Sequence, residues 1–310
     1  MHEIGLHGSL AVMKAPNFYA SGGIDRAAHL RADEDWIRQQ IEDRAARIVP
    51  IWRTQNLVQP GERPAGITVE ASRGLLMGAG SVVFLGLIEE IAHFAADFSA
   101  HEDPPLTEHG QFRDMRGIGQ LLSHQEGALL VYARATIQWH ARHQFCGVCG
   151  SPSVSRDAGH MRKCTNPDCG AEHFPRLDPA VIMLIHDGGD RLILGRQRNW
   201  PTGQHSVLAG FVEQGESLED AVAREIFEEV GVEITDIHYH SSQPWPFPSS
   251  IMLGFNARAT QTDLKVDLNE LEGAAWFSRD DLLASPENNA FRLPRKDSIS
   301  RRLIEDWLGR

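Results

Sequence analysis

The stretch from Gly210 to Val232 constrains this 310-residue chain more than any other part of it. Ser217 is a favourable residue for a helix start, and Gly231 can turn left-handed just past a helix end. Between them an apolar residue recurs every four positions, at Val222, Ile226 and Val230. This spacing predicts a helix with one buried face.

One flank of that predicted helix is acidic. Because residues three and four apart share a helix face, Glu225, Glu228 and Glu229 converge there. Like charges at this spacing weaken an ordinary helix by a few tenths of a kcal/mol per pair. A bound Mg²⁺ or Mn²⁺ would remove the conflict, and Arg224 is placed to orient one carboxylate. The ordinary alternative is a solvated acidic helix face.

The complete pattern favours the metal site. It reads Gly210-x5-Glu216-x7-Arg224-Glu225-Ile226-x-Glu228-Glu229-x-Gly231-Val232. It matches the Nudix box at every specified position, so the chain resembles a Nudix hydrolase. The resemblance implies a loop-helix-loop within an α/β/α sandwich that cleaves a nucleoside diphosphate linked to another moiety.

Length and charge bound the remaining possibilities. A chain of 310 residues predicts two domains, or two plus a small insert. The net charge of −12 disfavours extensive binding to a phosphate backbone, which depends on clustered Lys and Arg. No apolar run approaches the roughly 18 residues of a membrane span, and no secretion signal is visible. We therefore expect a soluble, cytoplasmic protein without a membrane partner.

All the cysteines lie within one short stretch, at Cys146, Cys149, Cys164 and Cys169. Two close pairs at ribbon spacing predict a structural Zn²⁺ held by four thiolates, although the second pair has four residues between its thiols instead of the commoner two. Two disulfides or free structural thiols are the alternatives, and a cytoplasmic setting disfavours disulfides. The nearby histidines are interpreted as surface or packing residues: His140, His143, His160 and His173.

Periodicity predicts several further elements. We expect a charged helix over Asp33 to Ile51 and a long helix from Ile118 to about Trp139, which leads into the cysteine-rich stretch. A hairpin of buried strands is predicted across Asp187-Gly-Gly-Asp190, and a C-terminal helix from about Asp297 to Leu308.

The segment Ser242-Gln-Pro-Trp-Pro-Phe-Pro-Ser-Ser250 follows the box. Its three prolines fix φ at alternate positions, so we expect an extended, stiff segment that holds aromatic groups in place. The ordinary alternative is a proline-rich surface loop with two core aromatics. Together with the cysteine-rich stretch, the segment resembles the signature of the NADH pyrophosphatase subfamily. The resemblance implies an α+β N-terminal domain over 1–140, a zinc ribbon over 141–175 and a Nudix α/β/α sandwich over 176–310.

The subfamily resemblance also implies roles for individual residues. The catalytic divalent ions would be held by Glu225, Glu229, Glu270 and the backbone carbonyl of Ala209, with Glu228 and Arg224 in the same catalytic cluster. Phe174 and Phe211 would stack on a base or on the nicotinamide ring. The other expected substrate contacts are Gln243, Pro244, Trp245, Pro246, Phe247, Pro248, Ser249, Ser250, Ser300 and Arg116. The choice of general base stays open among Glu228, Glu229 and Glu270.

The resulting expectation is a Mg²⁺- or Mn²⁺-dependent homodimeric hydrolase that splits NADH or NAD into AMP and nicotinamide mononucleotide, and that extends to RNA carrying an NAD cap. A Nudix hydrolase preferring ADP-ribose, FAD or another dinucleotide is the enzyme alternative. A sensor that binds a nucleotide without cleaving it is the alternative from another class. Retention of Arg224, Glu225, Glu228 and Glu229 argues against the sensor.

Overall fold

The computed structural model describes residues 16–20, 22–61, 65–70 and 73–309, which form three sheets. The N-terminal elements are α1 (Glu34–Glu42), β1 (Arg47–Trp52), β2 (Gln55–Gln59), β3 (Ala65–Gly66), β4 (Val69–Glu70), α2 (Arg73–Leu76), β5 (Val82–Ile88), β6 (Ile91–Asp97), β7 (Gln111–Arg113), α3 (Met115–Ile118) and α4 (His124–Arg142). Their seven-stranded sheet runs β3-β2-β1-β6-β5, with β4 beside β1 and β7 beside β2. The central pair, β1 and β6, is parallel.

Both faces of the N-terminal sheet are covered. Val49 and Ile51 of β1 face α4, and Ile48, the residue before Val49, faces the other way, toward α1. This alternation is the period of two that a strand requires, and it gives the domain a helix on each side of one sheet.

A small ribbon follows α4. Its three-stranded sheet is formed by β8 (Ser153–Arg156), β9 (Met161–Cys164) and β10 (Glu172–His173), in the order β10-β9-β8. The ribbon is attached to the N-terminal domain by hydrogen bonds of two buried or half-buried histidine rings. The Nε2 atom of His140 lies 2.8 Å from the Gly159 carbonyl oxygen, and that of His160 lies 2.7 Å from the Phe84 carbonyl oxygen. These histidines pack as the sequence predicts.

The C-terminal domain contains β11 (Asp178–His186), β12 (Arg191–Arg196), β13 (Leu208–Phe211), α5 (Leu218–Val230), β14 (Ile234–Trp245), β15 (Ser250–Ala259), β16 (Gly273–Ser278), α6 (Arg279–Leu283) and α7 (Ile299–Leu308). The sheet order is β14-β15-β11-β12-β16, and β13 pairs with β11. Val181, Met183 and Ile185 of β11 pack with α5, whereas Ile182 and Leu184 pack with α6 and α7. The α/β/α sandwich expected from the sequence is therefore confirmed, as are the hairpin of β11 and β12 and the C-terminal helix.

The helix expected over Asp33 to Ile51 is wrong in its second half. The helix begins as predicted, with the Asp33 carboxylate accepting the Trp36 N–H at 2.9 Å, but it ends at Glu42. Residues 47–52 form the central strand β1, where Ile48, Val49 and Ile51 are fully buried. Burial of β-branched residues on both faces of a sheet outweighs the local helical spacing.

The long helix expected from Ile118 begins later. Ser123 and Glu126 form a capping box, which fixes the start of α4 at His124. Ile118 instead ends the separate short helix α3. Helix α4 then continues to Arg142, past the predicted end at Trp139.

The segment from 242 to 250 is extended only at its start. Strand β14 runs through Trp245, residues 246–249 turn, and β15 begins at Ser250. At the turn, Phe247 is buried in the core formed by α4 and the N-terminal sheet. The segment is therefore a hairpin tip that joins the two domains.

No helix in the described part of the chain is long and apolar enough to cross a membrane.

Candidate active site

The acidic helix has well-defined ends. The Ser217 hydroxyl accepts the Asp220 N–H at 3.1 Å, and the Asp220 carboxylate accepts both the N–H and the hydroxyl of Ser217. At the other end Gly231 has φ 69°, a left-handed conformation that glycine adopts without strain. The predicted stripe of Val222, Ile226 and Val230 is fully buried. The helix predicted from the sequence is confirmed, and its packing presents one flank in a fixed orientation.

Arg224 connects this helix to the loop before it. Its guanidinium donates to both oxygens of Glu216 at 2.5 and 2.9 Å, and to the Phe211 carbonyl oxygen at 2.9 Å. It also donates to Glu225 at 2.9 Å and to Glu228 at 3.0 Å. The hydrogen bonds from Arg224 lower the pKa of Glu216 to about 2. One arginine thus fixes the loop over 211–216 against the acidic flank, a wider role than orienting one carboxylate.

Glu225 occupies the space above Gly210. A Cβ atom added at Gly210 would lie 1.8 Å from the Glu225 carboxyl carbon and within 2.1 Å of both carboxyl oxygens. Real Cβ atoms do not approach other heavy atoms this closely, so any residue larger than glycine would displace the carboxylate. The glycine of the box is required here for close approach.

Glu229 is the most buried carboxylate of the flank, with 4% of its surface exposed. Its Oε2 atom has no hydrogen-bond partner among the described residues. Burial, followed by the charges of Glu225 and Glu270, raises the pKa of Glu229 to about 8. Burial likewise raises the pKa of Glu225. Glu229 is thus held where its ionised form lacks compensation from the protein, whereas Arg224 compensates the charge of Glu225 in part.

Glu270 reaches this cluster through backbone contacts. The loop before it runs along the end of α5, where the Lys265 N–H donates to the Val230 carbonyl oxygen at 2.8 Å and the Asp267 N–H to the Glu229 carbonyl oxygen at 2.9 Å. The charge of Glu270 acts on both Glu225 and Glu229. A carboxylate distant in sequence is therefore brought beside the helix.

The donor set fits a hard divalent cation. An unpartnered buried carboxylate oxygen and repelling charges are what such an ion compensates, and carboxylates are its usual protein ligands. Glu228 is different, since its side chain is 53% exposed and paired with Arg224. No three described carboxylates come as close together as the four cysteine sulfurs do. The fit therefore depends on the chemistry and burial of Glu225, Glu229 and Glu270.

A cavity of about 280 Å³ opens beside Ala209. It brings together four of the residues predicted from the sequence: Ala209, Gln243, Trp245 and Ser300. The Gln243 amide is fully engaged by the protein, with Nε2 donating to the carbonyl oxygens of Phe18 at 3.0 Å and Asp297 at 2.7 Å, and Oε1 accepting from the Ile299 N–H at 2.7 Å. Gln243 therefore shapes the wall and presents no free amide.

Sequence reasoning missed one wall of this cavity. The loop between β12 and β13 contributes Gln197, Trp200 and Gln204, and Arg295 also lines the cavity. The sequence feature that could have indicated this wall is Trp200, which lies in a Pro- and Gly-containing loop shortly before the box begins at Gly210.

A second cavity of about 580 Å³ lies on the other side of the hairpin tip, between that tip, α4 and residues 175–178. It is lined by the remaining residues of the tip apart from Phe247: Pro244, Pro246, Pro248, Ser249 and Ser250. Trp245 lines both cavities. The hairpin tip thus separates the two cavities instead of lining a single nucleotide pocket.

The remaining predicted contacts lie outside both cavities. The rings of Phe174 and Phe211 are more than half exposed, at 57% and 59%. The Arg116 guanidinium lies 5.1 Å from the ring centroid of Phe247. The Arg116 carbonyl oxygen accepts a hydrogen bond from Arg295, which ties it to the rim of the smaller cavity.

The cysteines meet as predicted. Among the described residues, they are the one group of three or more His, Cys, Asp or Glu whose ligand atoms all lie within 4.8 Å of one another. The Cys146 and Cys169 sulfurs are 3.8 Å apart and those of Cys149 and Cys164 are 3.5 Å apart. These separations suit four thiolates at about 2.3 Å from one Zn²⁺. His173 is half-buried, and its Nε2 lies 3.2 Å from the Cys146 sulfur, so this histidine packs beside the site.

Comparison with known proteins agrees with this arrangement. Three family models match consecutive parts of the chain: an NADH pyrophosphatase-like rudimentary NUDIX domain over 45–139, an NADH pyrophosphatase zinc ribbon domain over 141–174 and a NUDIX domain over 176–298. The NAD-capped RNA hydrolase NudC of Mycobacterium bovis is 38% identical over 297 residues, which cover 92% of each chain.

The chain belongs to the Nudix family.

Within that family it belongs with the proteins that carry the NADH pyrophosphatase zinc ribbon, so the four cysteines form a zinc site. The NAD-capped RNA hydrolase NUDT12 of Homo sapiens is 41% identical over 197 residues. That match covers 60% of this chain but only 43% of the human protein. The solved Nudix hydrolase of Nitrosomonas europaea aligns with 48% of this chain and 84% of its own, at 23% identity and a TM-score of 0.40.

Proposed function

We propose that this Nudix protein is a divalent-metal-dependent hydrolase that cleaves the pyrophosphate of NADH or NAD into nicotinamide mononucleotide and AMP, and that removes NAD caps from RNA 5′ ends. The observation that carries the proposal is the buried Glu229 carboxylate, with one unpartnered oxygen, beside Glu225, Glu270 and the Ala209 cavity. The names of the mycobacterial and human relatives support the choice of substrate.

Each part of the site has a distinct task in this proposal. Glu225, Glu229, Glu270 and the Ala209 carbonyl would hold Mg²⁺ or Mn²⁺. The bound ions would supply charge neutralisation of the diphosphate and activation of the attacking water. Arg224 keeps Glu225 and Glu228 oriented, and the cavity beside Ala209 would take one nucleotide.

Three further expectations stay proposals. We expect a homodimer. Phe174 and Phe211 line neither cavity of the single chain, and we propose that their exposed rings stack on the substrate in the dimer. We expect the cytoplasm as the compartment, since a ribbon whose four cysteines form no disulfide suits reducing conditions. We also expect the capped end of the RNA to be recognised more than its body, because the chain has a net charge of −12.

Incubation with NADH and Mg²⁺ or Mn²⁺, with products identified by mass, tests the proposal. Nicotinamide mononucleotide and AMP should form only with added divalent metal. Parallel rates on ADP-ribose, FAD and a short NAD-capped RNA decide between the proposed substrate and other dinucleotides. If no AMP is released with any divalent metal, the hydrolase proposal is wrong and the alternative of a nucleotide sensor is favoured.

A further inference from the structure

Two loops that border the candidate active site are joined by a single arginine. The first, residues 197–205, lines the cavity with Gln197, Trp200 and Gln204. The second carries Glu270 and ends at Glu272, just before β16. Arg196, the last residue of β12, lies between them with its side chain 16% exposed.

The Arg196 guanidinium contacts both loops at once. On the cavity side it donates to three backbone carbonyl oxygens, those of Trp200 at 3.1 Å, Pro201 at 2.6 Å and Gln204 at 3.3 Å. On the metal side its Nε lies 2.8 Å from a Glu272 carboxylate oxygen. The Arg196 carbonyl oxygen also accepts the Glu272 N–H at 2.7 Å. The planar fork of arginine can make these contacts together, whereas lysine has one point charge.

Few residues separate Glu272, the partner of Arg196, from the metal site, and they are well packed. Leu271 is 2% exposed and lines the cavity, and the charge of its neighbour Glu270 acts on Glu225 and Glu229. A second contact joins the same two loops, because the Arg198 guanidinium donates to the Leu268 carbonyl oxygen at 2.7 Å. Movement of Glu272 would therefore shift Glu270 and Leu271 together.

We propose that Arg196 is a positioning residue that couples the nucleotide cavity to the third metal carboxylate. Through Glu272 it sets the position of Glu270, and through the carbonyl oxygens of residues 200–204 it sets the wall that holds the nucleotide. The proposal rests on the proposed function, since it takes Glu270 as a metal ligand and the cavity as the nucleotide site. Because Glu272 is half exposed, its ion pair with Arg196 is weaker than the three carbonyl contacts together, so metal binding should respond less than nucleotide binding to loss of the guanidinium.

The test measures binding at equilibrium, with no turnover. Mn²⁺ affinity is measured by the electron paramagnetic resonance signal of free Mn²⁺, and AMP affinity by calorimetry in chelator. Arg196→Gln should weaken Mn²⁺ binding about fivefold and AMP binding about tenfold, the loss expected for charge-assisted hydrogen bonds. Electrostatics alone predicts the opposite sign for Mn²⁺, because removing a nearby cation favours another cation.

Two more variants separate the two ends of the contact. Arg196→Lys keeps a positive charge opposite Glu272 but cannot bind the three carbonyl oxygens as well, so AMP binding should weaken while Mn²⁺ binding stays within twofold of wild type. The control is Arg191→Gln, at the other end of the same strand, where the arginine pairs with Asp187 at 2.8 Å. It should change neither affinity.

The outcomes distinguish this proposal from the proposed function. Mn²⁺ affinity that is unchanged or higher in Arg196→Gln overturns the positioning role, as does an equal loss in Arg191→Gln. Wild-type protein that binds Mn²⁺ and AMP but releases no AMP from NADH contradicts the proposed function and leaves the coupling measurable. Melting temperatures of all variants exclude global unfolding as the cause of weaker binding.

Discussion

Helices α4 and α5 each cover one face of a sheet whose central strands are parallel, yet only one of them has an acidic site. On α4 the charged groups of Glu126 and Arg134 are satisfied by the protein, and its buried polar atoms without a partner in the described part of the chain, the Tyr132 hydroxyl and Trp139 Nε1, are neutral. The Glu126 carboxylate accepts N–H groups from Gly66 and Ser123, and the Arg134 guanidinium donates to the carbonyl oxygens of Thr54 and Pro246. On α5 the buried Glu229 keeps an oxygen without a partner among the described residues.

The comparison separates architecture from chemistry. Both domains bury alternate faces of a sheet against helices, and this arrangement alone creates no site. The difference lies in a short loop held by Arg224, a glycine that lets Glu225 approach the backbone, and an acidic residue left uncompensated. Because buried polar atoms that lack a partner among the described residues also occur on α4, at Tyr132 and Trp139, it is the uncompensated acidic charge of Glu229 that marks the functional domain.

The largest effect should follow from Glu229→Gln. Removing this carboxylate should lower the rate of NADH cleavage about a thousandfold, since several kcal/mol of charge stabilisation depend on it. The fold and the zinc content should be unchanged, because the amide has nearly the same shape. Turnover is measured by product mass, and zinc by a chromogenic chelator. Undiminished turnover would remove Glu229 from the metal site.

The glycine of the box gives the next largest effect. Gly210→Ala should lower activity about tenfold to a hundredfold, because the new methyl group occupies the position of the Glu225 carboxylate. Gly117→Ala in the N-terminal domain is the matched control, since a Cβ there meets nothing within 4 Å. Steady-state rates at saturating Mn²⁺ compare the two. Equal losses would contradict the close-approach role of Gly210.

The buried arginine of α4 should affect stability instead of chemistry. Arg134→Met leaves the Thr54 and Pro246 carbonyl oxygens without this donor, so the free energy of unfolding should fall by about 2–3 kcal/mol. The exposed Arg142 of the same helix supplies the control, and Arg142→Met should stay within about 0.5 kcal/mol. Urea denaturation measures both. A loss of Mn²⁺ affinity in Arg134→Met without loss of stability would contradict the assignment of a structural role to α4 and a metal-binding role to α5.

The smallest effect concerns pH at the junction between the ribbon and the N-terminal sheet. Burial, with the charges of Arg31 and Arg26, lowers the pKa of His160 to about 4. The unfolded chain therefore binds more protons between about pH 4 and 6.5, so stability falls as pH falls through this window. After discounting for partial exposure, the contribution is about 1–2 kcal/mol. The free energies of unfolding of wild type and His160→Gln, measured against pH, should converge toward pH 4.5 and separate toward pH 7. A constant difference between the two proteins across this range would contradict the role of His160.

Local patterns in the sequence were enough for the parts of this protein that depend on near neighbours. The four-residue recurrence of Val222, Ile226 and Val230 determines α5, and Ser217 and Gly231 determine its ends. The clustering of all four cysteines determines the zinc site. In each case the interacting groups lie within a few residues or within one small ribbon.

Only the tertiary structure decided which of these groups act together. Residues 47–52 form a central strand because both faces of the sheet bury them, which no local period reveals. Phe247 is in the core of the other domain, and the hairpin tip consequently separates two cavities. The position of Glu270 beside Glu229 depends on backbone contacts across about forty residues of chain, and the link through Arg196 depends on a loop that carries no motif. Such contacts are set by packing of distant segments, so sequence spacing cannot predict them.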